Sequence, residues 1–329
     1  MRVTVLGGGS FGTTIASLTA RHHPTTLWAR DLVLAAEIQD KKTNERYLAG
    51  FSLPKSLAAT ADIEEAVAHA DVVIVGVPSH GFRDVLQQAA PYVRPWVPVV
   101  SLTKGLEVGT LKRMTEVIIE LLPGHPAAAL SGPNLSKEIM AGQAAASVIA
   151  TKDLTVARAL QEVLSRGLFR VYTNHDVIGC EVAGALKNVV AIAAGMAEGL
   201  GAGDNTRAAV ICRGLAELTR LGVALGGEPQ TFAGLAGVGD LVATCMSPQS
   251  RNRHVGEQLG MGRPLADILA EMTMVAEGVK TASTAMELAT RHGVEMPICS
   301  VIQRVIEGQM TAIDAYFGLR PAGHEADPG

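Results

Sequence analysis

A chain of 329 residues exceeds what one hydrophobic core usually organises, so two domains of about 150 residues each are expected. With 48% hydrophobic and 18% charged residues it reads as globular, not disordered, and a net charge of −4 with scattered Lys and Arg excludes a basic stripe for nucleic acid or an anionic bilayer. No apolar run is read as reaching the roughly 18 residues of a bilayer span, and the first residues read as a strand instead of a signal peptide, so a cytoplasmic protein without a membrane partner is expected.

In chain order, residues 2–6 form a short apolar strand ending in glycine, followed by an apolar-periodic helix over 11–20. A strand at 25–29, a helix at 31–39 and an unbroken apolar strand at 71–77 come next. Further strands are predicted at 97–102, 127–130, 144–150 and 168–172, separated by amphipathic helices at 81–90, 110–121 and 154–164. Alternation of this kind builds a Rossmann-like, doubly wound and mainly parallel sheet. Beyond about residue 176 the pattern holds no strand, and helices are predicted at 178–199, 204–223, 275–292 and 297–307. The division is therefore an α/β domain over 1–177, an all-α domain over 178–318, and a frayed tail at 319–329.

The turn Gly7, Gly8, Gly9, Ser10, Phe11, Gly12 lies between that first strand and its helix, the context in which GxGxxG binds a dinucleotide. Gly7 suits the tight turn, Gly9 the approach of phosphate to backbone, and Gly12 the contact of helix with strand. The second strand ends in Arg30 and Asp31. Arg30 suits a 2′-phosphate and Asp31 an unphosphorylated ribose, so NADP is modestly favoured over NAD, with a merely solvated Arg30 as the alternative.

Lys104 follows a strand at the edge where open α/β sheets bind ligands, and suits an anionic substrate or simple solvation. Ser131, Gly132, Pro133 and Asn134 end another strand before Ser136; they read as an ordinary turn or as donors to a ligand. Lys187 stands in a helix apolar nearly all round and is the only lysine between Lys152 and Lys280. An ammonium there needs a partner or a task, and burial favours proton exchange with a substrate oxygen; snorkelling to the surface is the alternative. Asp240, after a glycine-rich turn, either orients Lys187, meets a substrate hydroxyl or caps a helix. Ser250, Arg251 and Asn252 read as a phosphate clamp or an exposed basic loop. Cys180, Cys212, Cys245 and Cys299 lack CxxC spacing and the nine histidines lack HxH or HxxxH, so buried reduced thiols and no metal site are expected.

Together, residues 7–12, 131–134, 181–188, 239–244, 250–252 and 275–278 resemble the ordered motifs of the NAD(P)-dependent sn-glycerol-3-phosphate dehydrogenases of bacterial type. The resemblance runs from residue 1 to about 318. It implies reversible reduction of dihydroxyacetone phosphate to sn-glycerol 3-phosphate for phospholipid synthesis, with Lys187 as the proton acceptor in the oxidation direction. It further implies substrate contacts at Lys104, Gly132, Asn134, Asp240, Ser250, Arg251 and Asn252. Cofactor contacts are implied at Ser10, Phe11, Arg30, Lys104, Ser136, Arg251, Val275 and Glu277. Phe11 departs from the family's usual Trp, and Asn134, Leu135 and Ser136 depart from its usual Thr or Ser, aromatic or His, and Ala. The rival readings are a related two-domain enzyme for 6-phosphogluconate or ketopantoate, and a noncatalytic dinucleotide sensor. Small-residue helices make a homodimer the expected assembly.

Overall fold

The structure, a computed structural model, describes residues 1–318, so the expected tail lies outside the described residues. Two units emerge: Met1–Lys104 with Lys112–Val177, and Gly105–Leu111 with the residues from Ile178 onward.

In the first unit eight strands form one sheet: β1 (Val3–Leu6), β2 (Thr25–Trp28), β3 (Leu57–Thr60), β4 (Val72–Val75), β5 (Val99–Ser101), β6 (Ala127–Ser131), β7 (Ala145–Ala150) and β8 (Phe169–Asn174). Their order is β3-β2-β1-β4-β5-β6-β7-β8. Strands β1 to β6 are parallel, β7 runs antiparallel to β6, and β8 is parallel to β7. From β1 the chain winds outward to β3, then returns to place β4 on the other side. That reversal opens the crevice where such sheets bind ligands.

Alternate side chains of the central strands feed two cores. Val5 and Ile74 pack on one face with Ile15 and Leu27, while Leu6, Val73 and Val75 pack on the other with Phe82 and Leu86. All four residues of β4 are buried, which is why its sequence is continuously apolar and not alternating.

The sequence reading lacked β3, and the reason is its edge position. Only Leu57 of its four residues is buried, so no apolar run marks it. Side chains close this edge: Lys42 Nζ donates to the Leu57 carbonyl at 2.7 Å, and the Ala59 N–H donates to Gln39 Oε1 at 2.8 Å. At the opposite edge, the Val171 carbonyl accepts from Gln161 Nε2 at 2.7 Å, and its N–H donates to Ser165 Oγ at 3.2 Å. Both edges are thereby denied to another strand.

Two expected helices differ. The helix at 31–39 is a short α segment, Leu32–Ala36, continued by a π turn, Glu37–Lys41, and stopped by Lys42 at φ 55°. The helix at 110–121 begins only at Met114, because Leu111 adopts φ 62° and breaks any helix through it.

The second unit contains the long helices Val177–Gly199, Asp204–Ala224, Glu277–His292 and Pro297–Ile306, close to the predicted spans. Three more are Asp240–Met246, Arg251–Gly260 and Leu265–Glu271; the first two fit the helices expected near Asp240 and after the 250–253 loop, and the third carries no predicted span. One expectation needs correction. The Val177–Gly199 helix is, by length and composition, apolar enough to cross a bilayer, despite Glu181 and Lys187; 94% of its apolar window is instead buried within the protein. It is a core helix, surrounded by Leu218, Leu221, Val255, Ala282, Ala285 and Ile302. Gly195 and Gly256 let it meet the Arg251–Gly260 helix backbone to backbone: a Cβ on Gly195 would collide with the Arg253 carbonyl, and one on Gly256 with that of Ile192.

Candidate active site

In the first unit, the glycine turn follows β1 and opens the Ser10–Ala20 helix. Gly7 adopts φ 124°, and a Cβ there would lie 2.6 Å from the Gly76 carbonyl oxygen at the end of β4. A Cβ on Gly12 would collide with the Gly7 carbonyl. Gly9 is different: a Cβ would meet nothing within 4 Å. Gly7 and Gly12 are thus required by packing, and Gly9 keeps the outer face of the turn open. No side chain caps the helix, so its first-turn N–H groups and positive dipole end suit an anion. These features fit a dinucleotide diphosphate.

Around the turn, Ser10 is half-buried, and half-buried Phe11 packs against the core beneath it. Arg30 is exposed two residues beyond β2. Asp31 has a structural role: its Oδ1 accepts N–H groups of Val33 at 2.9 Å and Leu34 at 3.3 Å, and Arg46 lies 3.4 Å from Oδ2.

The loops after β5 and β6 bring three named residues together. Lys104 Nζ donates to the Gly132 carbonyl at 2.9 Å and to Asn134 Oδ1 at 2.8 Å, and Asn134 Nδ2 donates to Ser147 Oγ at 3.2 Å. Asn134, a departure from the family pattern, therefore aligns Lys104. Gly132, at φ 125°, has Ser147 Cα 3.0 Å from where a Cβ would sit. Ser136 begins the short Ser136–Met140 helix.

In the second unit, Lys187 and Asp240 are 5% and 2% exposed and form an ion pair. Asp240 is no N-cap: the π turn Leu235–Gly239 enters it already helical, with Gly239 at φ −60° and ψ −50°. Its carboxylate instead faces Lys187. Thr244, one turn later on the same helix face, accepts from Lys187 Nζ at 2.7 Å while donating its hydroxyl hydrogen to the Asp240 carbonyl at 2.6 Å. Lys187 therefore does not snorkel; its ammonium is held by two fixed acceptors.

Beside the pair, burial pushes the Cys245 thiol up to about 12, with Asp240 adding and Lys187 opposing. It is no nucleophile at neutral pH. All four cysteines are free; Cys180, Cys245 and Cys299 are buried as expected, whereas Cys212 is exposed.

Ser250 is the N-cap of the Arg251–Gly260 helix, its Oγ accepting the Arg253 N–H at 3.2 Å, so Arg251 and Asn252 stand in a first helical turn and not in a loop. Arg251 is exposed and donates to the Val275 carbonyl at 2.8 Å. Glu277, half-buried, is the first residue of the Glu277–His292 helix. Asn252 is buried between structural partners: its Nδ2 donates to Asn188 Oδ1 and its Oδ1 accepts the Gly278 N–H, both at 2.9 Å. The structure thus joins Lys187 with Asp240, Arg251 with Val275, and Asn252 with Asn188.

Sequence reasoning gave no role to Thr244, Asn188 or Asn44. The i,i+4 spacing of Asp240 and Thr244 was a usable signal. Asn188 and Asn44 pair over sequence separations that carry none.

An open α/β sheet with a diphosphate-type glycine turn, followed by a helical unit holding a buried lysine–aspartate pair, defines a two-domain, nicotinamide-dependent dehydrogenase. The family models for the N-terminus and the C-terminus of NAD-dependent glycerol-3-phosphate dehydrogenase match residues 2–157 and 176–316. The chain belongs to the NAD-dependent glycerol-3-phosphate dehydrogenase family. It is 58% identical over 331 residues to glycerol-3-phosphate dehydrogenase (NAD(P)+) 2 of Sphingopyxis alaskensis, covering 100% of this chain and 99% of that one. Identity to glycerol-3-phosphate dehydrogenase (NAD(P)+) 1 of Mycobacterium tuberculosis is 54%, covering 98% and 96%. The crystal structure of glycerol-3-phosphate dehydrogenase from Coxiella burnetii superposes with a TM-score of 0.93 at 35% identity, covering 97% of this chain and 98% of that one.

Proposed function

We propose that this protein reversibly reduces dihydroxyacetone phosphate to sn-glycerol 3-phosphate with NADH or NADPH. The carrying observation is the Lys187 ammonium, buried in an apolar helix and held by Asp240 and Thr244. In this reading residues 1–177 are the dinucleotide domain, apart from Gly105–Leu111, which group with the second unit, and residues 178–318 form the substrate domain. The dinucleotide, when bound, supplies the hydride for the carbonyl carbon.

Lys187 gives a proton to the substrate oxygen during reduction and takes it back during oxidation. Asp240 stabilises the ammonium between turnovers and fixes its direction. Gly7, Gly9, Ser10, Phe11, Gly12, Arg30, Lys104, Ser136, Arg251, Val275 and Glu277 are assigned to the cofactor. Lys104, Gly132, Asn134, Ser250, Arg251 and Asn252 are assigned to the substrate with the catalytic pair. Asn252 Nδ2 keeps one hydrogen beyond its bond to Asn188, which suits a phosphate oxygen.

The enzyme is further proposed to be a cytoplasmic homodimer supplying phospholipid synthesis, with no nucleic-acid or membrane partner. The test is kcat/KM for dihydroxyacetone phosphate measured with NADH and with NADPH, beside ketopantoate and 6-phosphogluconate. Strong preference for a carboxylate substrate refutes the reading. Tight dinucleotide binding without any turnover would favour a sensor instead.

A further inference from the structure

Asn44 lies in a loop 36 residues from the glycine turn in sequence, is 0% exposed, and has all of its amide engaged. Its Oδ1 accepts the Tyr47 N–H at 3.2 Å, which caps the short Glu45–Leu48 helix. Its Nδ2 donates to the Gly8 carbonyl at 2.9 Å and to Thr13 Oγ1 at 2.9 Å. Thr13 Oγ1 donates in turn to the same Gly8 carbonyl at 3.2 Å. Two donors on two elements thus hold one peptide oxygen in the middle of the turn.

A trans peptide is planar, with its C=O and N–H pointing oppositely. Fixing the Gly8 oxygen toward Asn44 and Thr13 therefore fixes the Gly9 N–H in the reverse direction. No cis peptide interrupts this among the described residues. A glycine-rich turn left to itself samples many peptide orientations, since glycine has the greatest backbone freedom to lose.

We infer that Asn44 is a positioning residue for dinucleotide binding: by holding the Gly8 carbonyl, it aims the Gly9 N–H at the diphosphate before the ligand arrives. This rests on the dinucleotide reading above. The energetic logic is preorganisation, in which an oriented donor gains affinity because it need not be ordered on binding.

Asn44→Asp isolates the effect. The carboxylate keeps the acceptor for the Tyr47 N–H, and with it the loop, but sets an acceptor against the Gly8 oxygen in place of a donor. Dissociation constants for NADH and NADPH, measured by titration calorimetry, are expected to rise about tenfold or more, corresponding to loss of one hydrogen bond. KM for dinucleotide should rise with them, and by more than kcat or KM for dihydroxyacetone phosphate changes. A merely structural role would lower the melting temperature without that split. A variant that melts cooperatively and binds dinucleotide within about twofold of the parent overturns the inference. Should Asn44→Asp fail to fold, Asn44→Ser decides, since its hydroxyl can still cap the Glu45–Leu48 helix but is too short to hold the Gly8 carbonyl. Weaker dinucleotide binding supports the inference, and unchanged binding overturns it. A parent that binds no dinucleotide overturns the underlying reading itself, a result distinct from either.

Discussion

Replacing Lys187 by Met and Asp240 by Asn, singly and together, tests whether the pair acts as one unit. The exposures of 5% and 2% place it in the interior class, where breaking an ion pair costs far more than at the surface. Lys187→Met leaves a buried carboxylate without its principal countercharge and is expected to cost about 3–5 kcal/mol. Asp240→Asn keeps shape and an acceptor oxygen but leaves the buried ammonium without its countercharge, so a loss at the lower end of that range, about 3 kcal/mol, is expected. The double variant buries no charge at the pair and should lose less than the sum of the two, by about 0.5–3 kcal/mol. Hydrogen exchange of the Val177–Gly199 helix amides reads this locally, without assuming that the two units unfold together. In the assay with dihydroxyacetone phosphate, Lys187→Met should lower kcat about 10²–10⁴-fold. Strict additivity of the stability losses would refute the coupling. A Lys187→Met enzyme with near-parental kcat would remove the lysine from the chemistry.

Gly9→Ala and Gly12→Ala should separate binding from folding. Gly9, at φ −69° with open space, should tolerate a methyl group in the free protein yet lose about tenfold or more in dinucleotide affinity, whereas Gly12→Ala collides with the Gly7 carbonyl and should destabilise the first unit in thermal melts. If Arg30 meets a 2′-phosphate, Arg30→Ala should raise KM for NADPH about tenfold and leave KM for NADH nearly unchanged; equal effects on both remove that role. Glu217 is buried and accepts the Ile298 N–H at 2.7 Å and the Cys299 N–H at 3.1 Å, satisfying the start of the Pro297–Ile306 helix. Burial raises its pKa against the opposing effect of those bonds. Its native carboxyl therefore binds a proton more tightly than the unfolded one, so this stabilisation is present below the unfolded value and lost as pH rises through the native value. Melting curves from about pH 4 to 7 should show the parent losing ground to Glu217→Gln, and the reverse slope would mean that the hydrogen bonds outweigh desolvation.

Much of the first unit was legible because its central strands and helices carry their own periodicity. β4 is buried along its length and its sequence is apolar throughout. β3 escaped because an edge strand needs few buried side chains, and its edge is closed by Gln39 and Lys42 from a segment read as loop or helix end. Residues 250–253 read as a short basic loop before a helix, whereas Ser250 caps that helix and Arg251 and Asn252 already stand in its first turn, because the helix starts early enough to pack through Gly256.

The sequence by itself determined the α/β then all-α order, the glycine turn, and the oddity of one lysine inside an apolar helix. These are local properties, set by periodicity, turn chemistry and the cost of burying a charge. Tertiary structure alone decided which acceptors hold Lys187, that Asp240 faces it instead of capping a helix, and that Asn44 grips the Gly8 carbonyl. Such pairings join residues 53, 57 and 36 positions apart, and a hydrogen bond depends on the direction of atoms brought together by folding, which no local pattern encodes.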